Sequence, residues 1–194
     1  MYLLLGAPLA AIMEGLQNWL SSMSGSSAVL LGIILGLMMC FDLGGPVNKA
    51  AYLFATAGLS TGDESSMQIM AAVMASGMVA PIALSLATFI RKSLFTPAEQ
   101  ENGKSAWLLG LSFVSEGAIP FAAADPFRVI PSMMAGGAVT GAISMALSVG
   151  SRAPHGGVFV FFAIDPFWGY LVAIAAGVVV STAAVLAMKQ FWPN

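Results

Sequence analysis

The sequence predicts an all-α, polytopic helical membrane protein with re-entrant hairpins and an amphipathic interfacial helix. Three observations predict it. Of the 194 residues, 58% are hydrophobic and only 8% are charged, whereas an average soluble domain is about 25% charged. Several apolar runs reach the roughly 20 residues that a bilayer crossing requires. Others are shorter and end in polar Gly/Pro clusters, a pattern that fits irregular backbone held at depth inside protein.

Taken in order, residues 1–5 are too short for a signal-peptide core and read as the tail of a spanning helix whose beginning is missing from the chain. Over 8–22, Ile12, Met13, Leu16, Trp19 and Leu20 recur at helical spacing, which suits an interfacial amphipathic helix with Trp19 at headgroup depth. The run 26–41 is short for a crossing and stops at Asp42-Leu-Gly-Gly-Pro, so it reads as a half-span. Residues 67–90 are long enough to span, Pro81 included, because neighbouring helices can satisfy the backbone group a proline frees.

A hydrophilic loop over 91–104 follows, and three of the seven basic residues lie in it or border it. The positive-inside rule places that loop in the cytoplasm and puts Asp63 and Glu64 outside. Residues 106–124 go in and come back, with Glu116 near the tip, because Gly117 and Pro120 interrupt an apolar stretch too short to span. The run 129–150 is a second span, 158–164 a short apolar piece, and 168–188 a third span. Gly32/Gly36 and Gly137/Gly141 permit close helix contact, and Met67, Met70, Met74 and Met78 form one packing face.

Composition also excludes. A net charge of -2 without any basic stripe argues against a nucleic-acid partner. One histidine and one cysteine cannot build a His/Cys metal cluster, so neither a metal nor another cofactor is expected. Cys40, flanked by Met38, Met39 and Phe41, reads as a buried apolar residue and not as a reactive thiolate.

Glu116 is the foremost candidate for chemistry, since a charge at membrane depth costs roughly 2.5–3.5 kcal/mol and persists where it lines a polar cavity. Four polar clusters recur at the ends of apolar segments: 42–49, 115–120, 125–128 and 153–157. Each joins ionisable or amide groups to Gly or Pro, as an unwound backbone needs in order to face a polar ligand. A sugar is such a ligand: carboxylates and amides match its hydroxyls, and Phe113, Phe121 or Phe127 could cover its apolar face. Asn48 and Lys49 also fit a turn-former and a snorkelling interfacial lysine, and His155 also fits an ordinary loop residue. Asp125 and Arg128 read as a turn with a local ion pair.

The runs DLGGPVNKAAY over 42–52, SEGAIPFAAADPFRVIP over 115–131 and APHGGVF over 153–159 resemble the fructose-type sugar permease subunit, enzyme IIC, of the bacterial phosphoenolpyruvate-dependent phosphotransferase system. With the apolar segments between them they cover nearly the whole chain. The resemblance implies a multi-pass permease of the bacterial inner membrane that binds a hexose, fructose first, and exposes it for phosphorylation by the phosphocysteine of a IIB partner, itself charged by IIA. It implies that Glu116 holds the sugar hydroxyl that receives phosphate. Asn48, Lys49, His155, Gly44, Gly45, Ser115 and Gly117 are then expected around the sugar, with Asp42, Asp125 and Arg128 in supporting positions.

Residues 1–194 are accordingly expected to be a single domain, the C-terminal part of a IIC-type membrane domain. It would work with the remaining N-terminal helices, as a homodimer, inside a phosphohistidine-to-sugar phosphotransferase complex whose phosphocysteine donor lies outside this chain. Burial is expected to raise the Glu116 pKa and make it a better general base. Two other readings are compatible with the residues: an ion-coupled carrier or channel with Glu116 as proton relay, and an inactive membrane fragment.

Overall fold

The computed structural model describes residues 28–60 and 62–192. The expected helix over 8–22 lies outside the described residues. The described elements are α1 (Ala28–Phe41), α2 (Pro46–Leu59), α3 (Glu64–Ile90), α4 (Pro97–Leu111), α5 (Ile119–Ala124), α6 (Pro126–Ala146) and α7 (Phe167–Phe191). A two-residue antiparallel ladder, β1 (Gly150–Ser151) with β2 (Ile164–Asp165), pairs Gly150 with Asp165 and Ser151 with Ile164.

α3 is the axis of the protein and packs against α1, α2, α4, α6 and α7. Its run from Met70 to Pro81 is buried without interruption, so no apolar stripe separates from a polar one, as befits a helix enclosed by others. Pro81 has no N–H to give the Gly77 carbonyl, and the Ser115 hydroxyl, buried in the re-entrant segment, donates to that carbonyl at 2.8 Å. The proline is thereby accommodated at depth by its neighbours.

α3, α6 and α7, of 27, 21 and 25 residues, are long and apolar enough to cross a membrane. α1 is apolar but has only 14 residues and ends at Phe41. It lies against α6 at backbone distance: a Cβ on Gly32 would strike the Gly141 carbonyl, and one on Gly36 the Gly137 carbonyl. The two glycine pairs therefore meet each other within one chain. Met70, Met74 and Met78 are fully buried in the core, and Cys40 is buried beside them, its thiol 3.5 Å from the Ser76 carbonyl.

Two expectations are corrected. The hydrophilic segment 91–104 is in large part helix, because α4 starts at Pro97 behind a capping box: the Glu99 N–H donates to Thr96 Oγ1 at 3.3 Å and the Thr96 N–H to Glu99 Oε2 at 2.7 Å. Asp125-Pro-Phe-Arg128 is the start of α6 and not a free turn, since Pro126 at the first helical position needs no N–H acceptor.

Candidate functional site

Three separate pieces of chain converge on one cleft. The first is the corner between α1 and α2. Asp42 accepts from the Val47 N–H at 2.7 Å and the Asn48 N–H at 2.9 Å, satisfying two amides that the first turn of α2 leaves without helical acceptors. A Cβ on Gly45 would come 2.6 Å from Asp42 Oδ2, so glycine is what lets the carboxylate cap the helix. Asn48 is buried and donates through Nδ2 to the Met39 carbonyl at 2.8 Å, tying the ends of the two helices together. Lys49 follows, exposed on the cleft side.

The second piece is the re-entrant hairpin. α4 stops at Leu111, Phe113 takes a left-handed backbone at φ 65°, and a single 3-10 turn over Ser115–Ala118 carries Glu116 at the bend before α5 returns. Lys49 Nζ donates to Glu116 Oε1 at 3.2 Å. Gly44, at φ 113°, makes room for that carboxylate: a Cβ there would lie 2.8 Å from Glu116 Oε1.

The third piece is the loop that the β1–β2 ladder closes. It carries His155 toward the hairpin, and its glycines allow the approach, since Gly156 and Gly157 have φ of 120° and 60° and a Cβ on Gly157 would strike the Leu111 carbonyl. The His155 ring lies 5.1 Å from Phe113 and 6.5 Å from Tyr52, and Tyr52 lies 6.0 Å from Phe113.

Asn48, Lys49, Tyr52, Phe113, Val114, Ser115, Glu116 and His155 line a cavity of about 120 Å³. A larger hollow, about 310 Å³, opens beside Glu64, Arg152 and Asp165. Others are of comparable size, about 320 Å³ beside Phe54 and Ile69 and about 260 Å³ beside Glu99 and Lys189, but the 120 Å³ cleft alone among these brings a carboxylate, an ammonium, an imidazole and two aromatic rings from three elements onto one space. That convergence of polar groups marks a binding site better than volume does.

Glu116 lies outside the three spans, and its carboxyl is held below the usual carboxylate range. Burial pushes it up, but its own backbone N–H, the hydrogen bond and charge of Lys49 and the charge of His155 together outweigh that. The expected upward shift is therefore corrected: the cation across the cleft keeps Glu116 ionised. Asp125 is held low in the same way, burial being outweighed by Arg128 and Lys189.

Four other candidate residues lie or bond elsewhere, in part or in whole. Ser115 borders the cleft but spends its hydroxyl on Gly77. Gly117 faces Leu109 and Pro81, and its carbonyl accepts from Asn102 Nδ2 at 3.0 Å, away from the cavity. Phe121 is fully buried against Phe95, and Phe127 is 80% exposed, so neither ring reaches the cleft. Tyr52, missed in the sequence, takes the aromatic place beside Phe113; its position three residues after Lys49, on the same helical face, was the available signal.

Asp125 and Arg128 form a salt bridge of 2.6 Å away from the cleft. Lys189, whose partner no local pattern reveals, joins it at 3.1 Å and also reaches Glu99 Oε1 at 3.3 Å. Among the described residues no group of three or more His, Cys, Asp or Glu could hold a metal ion.

No family model matches the chain, and no solved structure does. Curated proteins do. It is 55% identical over 193 residues to the PTS system fructose-specific EIIB'BC component of Escherichia coli (strain K12), covering 98% of this chain and 34% of that protein. It is 48% identical to the PTS system fructose-specific EIIC component of Haloferax volcanii over 97% of this chain and 50% of the relative. Against the fructose permease IIC component of Bacillus amyloliquefaciens it is 45% identical over 96% of this chain and 60% of the relative. The chain thus spans about a third to three-fifths of these relatives' length, and over nearly all of its own length it is a homologue of the fructose-specific enzyme II components of the phosphotransferase system, EIIC and permease IIC components among them.

Proposed function

We propose that this chain supplies the sugar site of a fructose permease in the inner membrane and presents a sugar hydroxyl to the phosphocysteine of a IIB component, with IIA upstream of it. The observation that carries the reading is the meeting of Lys49, Glu116 and His155 around one cavity with Tyr52 and Phe113. Acceptors and donors at the rim of an aromatic floor are what a hexose, polar at its edge and apolar on one ring face, requires.

The ionised Glu116 accepts a hydrogen bond from the sugar hydroxyl and orients its oxygen toward the incoming phosphorus. The sugar O–P bond forms as the S–P bond of the phosphocysteine breaks, the thiolate leaves, and the hydroxyl proton passes to Glu116. Phosphoryl transfer depends on alignment and charge stabilisation more than on covalent help from the protein. Lys49 suits both stages: it holds Glu116 charged at the start, and as the carboxylate takes the proton its ammonium is free to face the phosphoryl oxygens.

The test is phosphate transfer from phosphorylated IIB to a panel of hexoses in the membrane domain that contains this segment. A fructose phosphate is the expected product. Uptake that follows a proton gradient without any sugar phosphate would replace this reading with an ion-coupled carrier.

A further inference from the structure

The re-entrant hairpin is helical along both arms and irregular at its tip, where it carries Glu116. At its tip the backbone leaves the helical region at Phe113 and Val114 and is held by short-range bonds, among them the Val114 N–H to the Leu109 carbonyl at 2.9 Å and the Gly117 N–H to the Val114 carbonyl at 3.3 Å, and by the Ser115 hydroxyl on the Gly77 carbonyl. Its two ends are held otherwise. Glu99, in the first turn of α4, and Asp125, which closes α5, are far apart in sequence, and both pair with the single ammonium of Lys189 near the end of α7.

The side chains of Lys189, Glu99 and Asp125 are only 6%, 3% and 10% exposed. Lys189 lies over the Phe95 ring, 4.7 Å from its centroid, and Phe95 packs edge-on against Phe121 of α5 at 6.2 Å. Buried ion pairs add little stability over well-packed apolar residues, and their best-attested use is to fix register. A lysine that pairs with one end of the hairpin would be a local feature; one that pairs with both ends fixes the separation between them.

We infer that Lys189 is a positioning residue, a clasp across the base of the hairpin that sets where Glu116 sits relative to Lys49 and His155. The catalytic consequence rests on the proposed phosphoryl transfer; the clasp itself does not. Without the clasp the base of the hairpin spreads, the tip shifts by a fraction of an ångström to an ångström, and alignment at the sugar hydroxyl is lost while the cleft residues remain present. A misplacement of about 1 Å costs on the order of 10²-fold in rate.

The experiment uses the membrane domain containing this segment and three variants: Lys189→Met, Lys189→Arg, and Lys189→Met combined with Glu99→Gln. The double variant removes one acid with one base, leaves the Asp125–Arg128 pair, and keeps an acceptor for the Thr96 N–H, so it folds even where Lys189→Met alone does not. Amide hydrogen exchange over residues 112–125, compared with α3, reads the clasp without reference to sugar. Exchange in the hairpin is expected to quicken about tenfold in the double variant with α3 unchanged, by release of local opening, and Lys189→Arg is expected to restore protection. Transfer from phosphorylated IIB to fructose is expected to fall about 10²-fold in kcat in the double variant, and Lys189→Arg to recover most of it. Unchanged hairpin exchange in the folded double variant overturns the clasp, as does a Lys189→Arg protein as loose as the Met variants. Should the wild type transfer phosphate to no hexose, the functional reading fails while the exchange result still decides the clasp.

Discussion

Lys49 Nζ lies 3.2 Å from Glu116 Oε1, linking the beginning of α2 to the tip of the hairpin across the cleft. Both side chains are about half exposed, 50% and 44%, so the pair is worth little as a stabilising contact. Its consequence is the ionisation of Glu116. A carboxyl whose folded-state pKa is depressed contributes its pairing above its unfolded value and loses it as pH falls through the folded one. The acid limb of sugar binding is therefore expected below the ordinary glutamate value of 4.5. Lys49→Met removes the hydrogen bond and the charge and leaves burial, which pushes upward, so the limb moves to higher pH. Fructose affinity measured across pH 3.5 to 7 in both proteins checks this, and an unmoved limb means that Lys49 does not control the carboxylate.

The approach of α1 to α6 gives a stability prediction. A Cβ at position 36 meets the Gly137 carbonyl, and one at 137 would lie 2.6 Å from Cys40 Sγ. Backbone cannot yield as a side-chain tip does, so Gly36→Ala is expected to destabilise by about 1–3 kcal/mol, the usual range for overpacking. Thermal unfolding in detergent, read together with particle mass by light scattering, separates two cases. A lower midpoint at unchanged mass is the expected outcome. A change of mass without loss of stability would mean that these glycines pair between copies and not within one chain.

Orientation in the membrane follows from α3, whose 27 residues make it about 40 Å long, enough to put its two ends on opposite sides of a bilayer. Ser60 precedes its start and Ala98 follows its end, and both are exposed. In a Cys40→Ala background, cysteines at Ser60 and Ala98 are expected to react with an impermeant maleimide from opposite faces of sealed vesicles, Ala98 from the cytoplasmic one. Labelling of Ala98→Cys from outside the cell inverts the topology. Cys40→Ala is expected to leave phosphate transfer intact, since the thiol is buried between α1 and α3.

Much of this architecture was legible because hydropathy and length act locally. The spans over 67–90, 129–150 and 168–188 correspond to α3, α6 and α7, with ends displaced where polar residues cap or extend a helix. α2 was missed because Pro46, Asn48 and Lys49 at its start read as a loop, although Asp42 followed by a proline at the first helical position is a start signal. The Thr96 to Glu99 capping box is also visible in the sequence, but a hydrophilic stretch between apolar runs has the composition of a loop. What no local pattern reveals is which charges meet. Lys49 and Glu116 are 67 residues apart, and Lys189 and Glu99 are 90 apart. Sequence spacing marked Glu116 as costly and therefore purposeful, but its partner, the downward direction of its pKa and the place of Tyr52 depend on how α2, the hairpin and the 150–165 loop are folded together.

Glu116 itself supplies the last prediction. Its side chain reaches the cleft with 44% of its surface exposed and makes one ion pair, so Glu116→Gln keeps size and one acceptor and is expected to fold normally. It removes the charge that Lys49 sustains and the ability to take the hydroxyl proton. Phosphate transfer from IIB should fall by the roughly 10²- to 10⁴-fold typical of a lost positioned acid–base group. Glu116→Asp retains the charge but draws the carboxylate back by one methylene, away from both the hydroxyl and Lys49, and on the order of 10²-fold is expected from that displacement alone. The two variants part in their pH behaviour: the aspartate keeps an acid limb and the glutamine has none. If Glu116→Gln phosphorylates fructose at the wild-type rate with the fold intact, the carboxylate neither orients the hydroxyl nor accepts its proton, and its assignment to the chemistry falls.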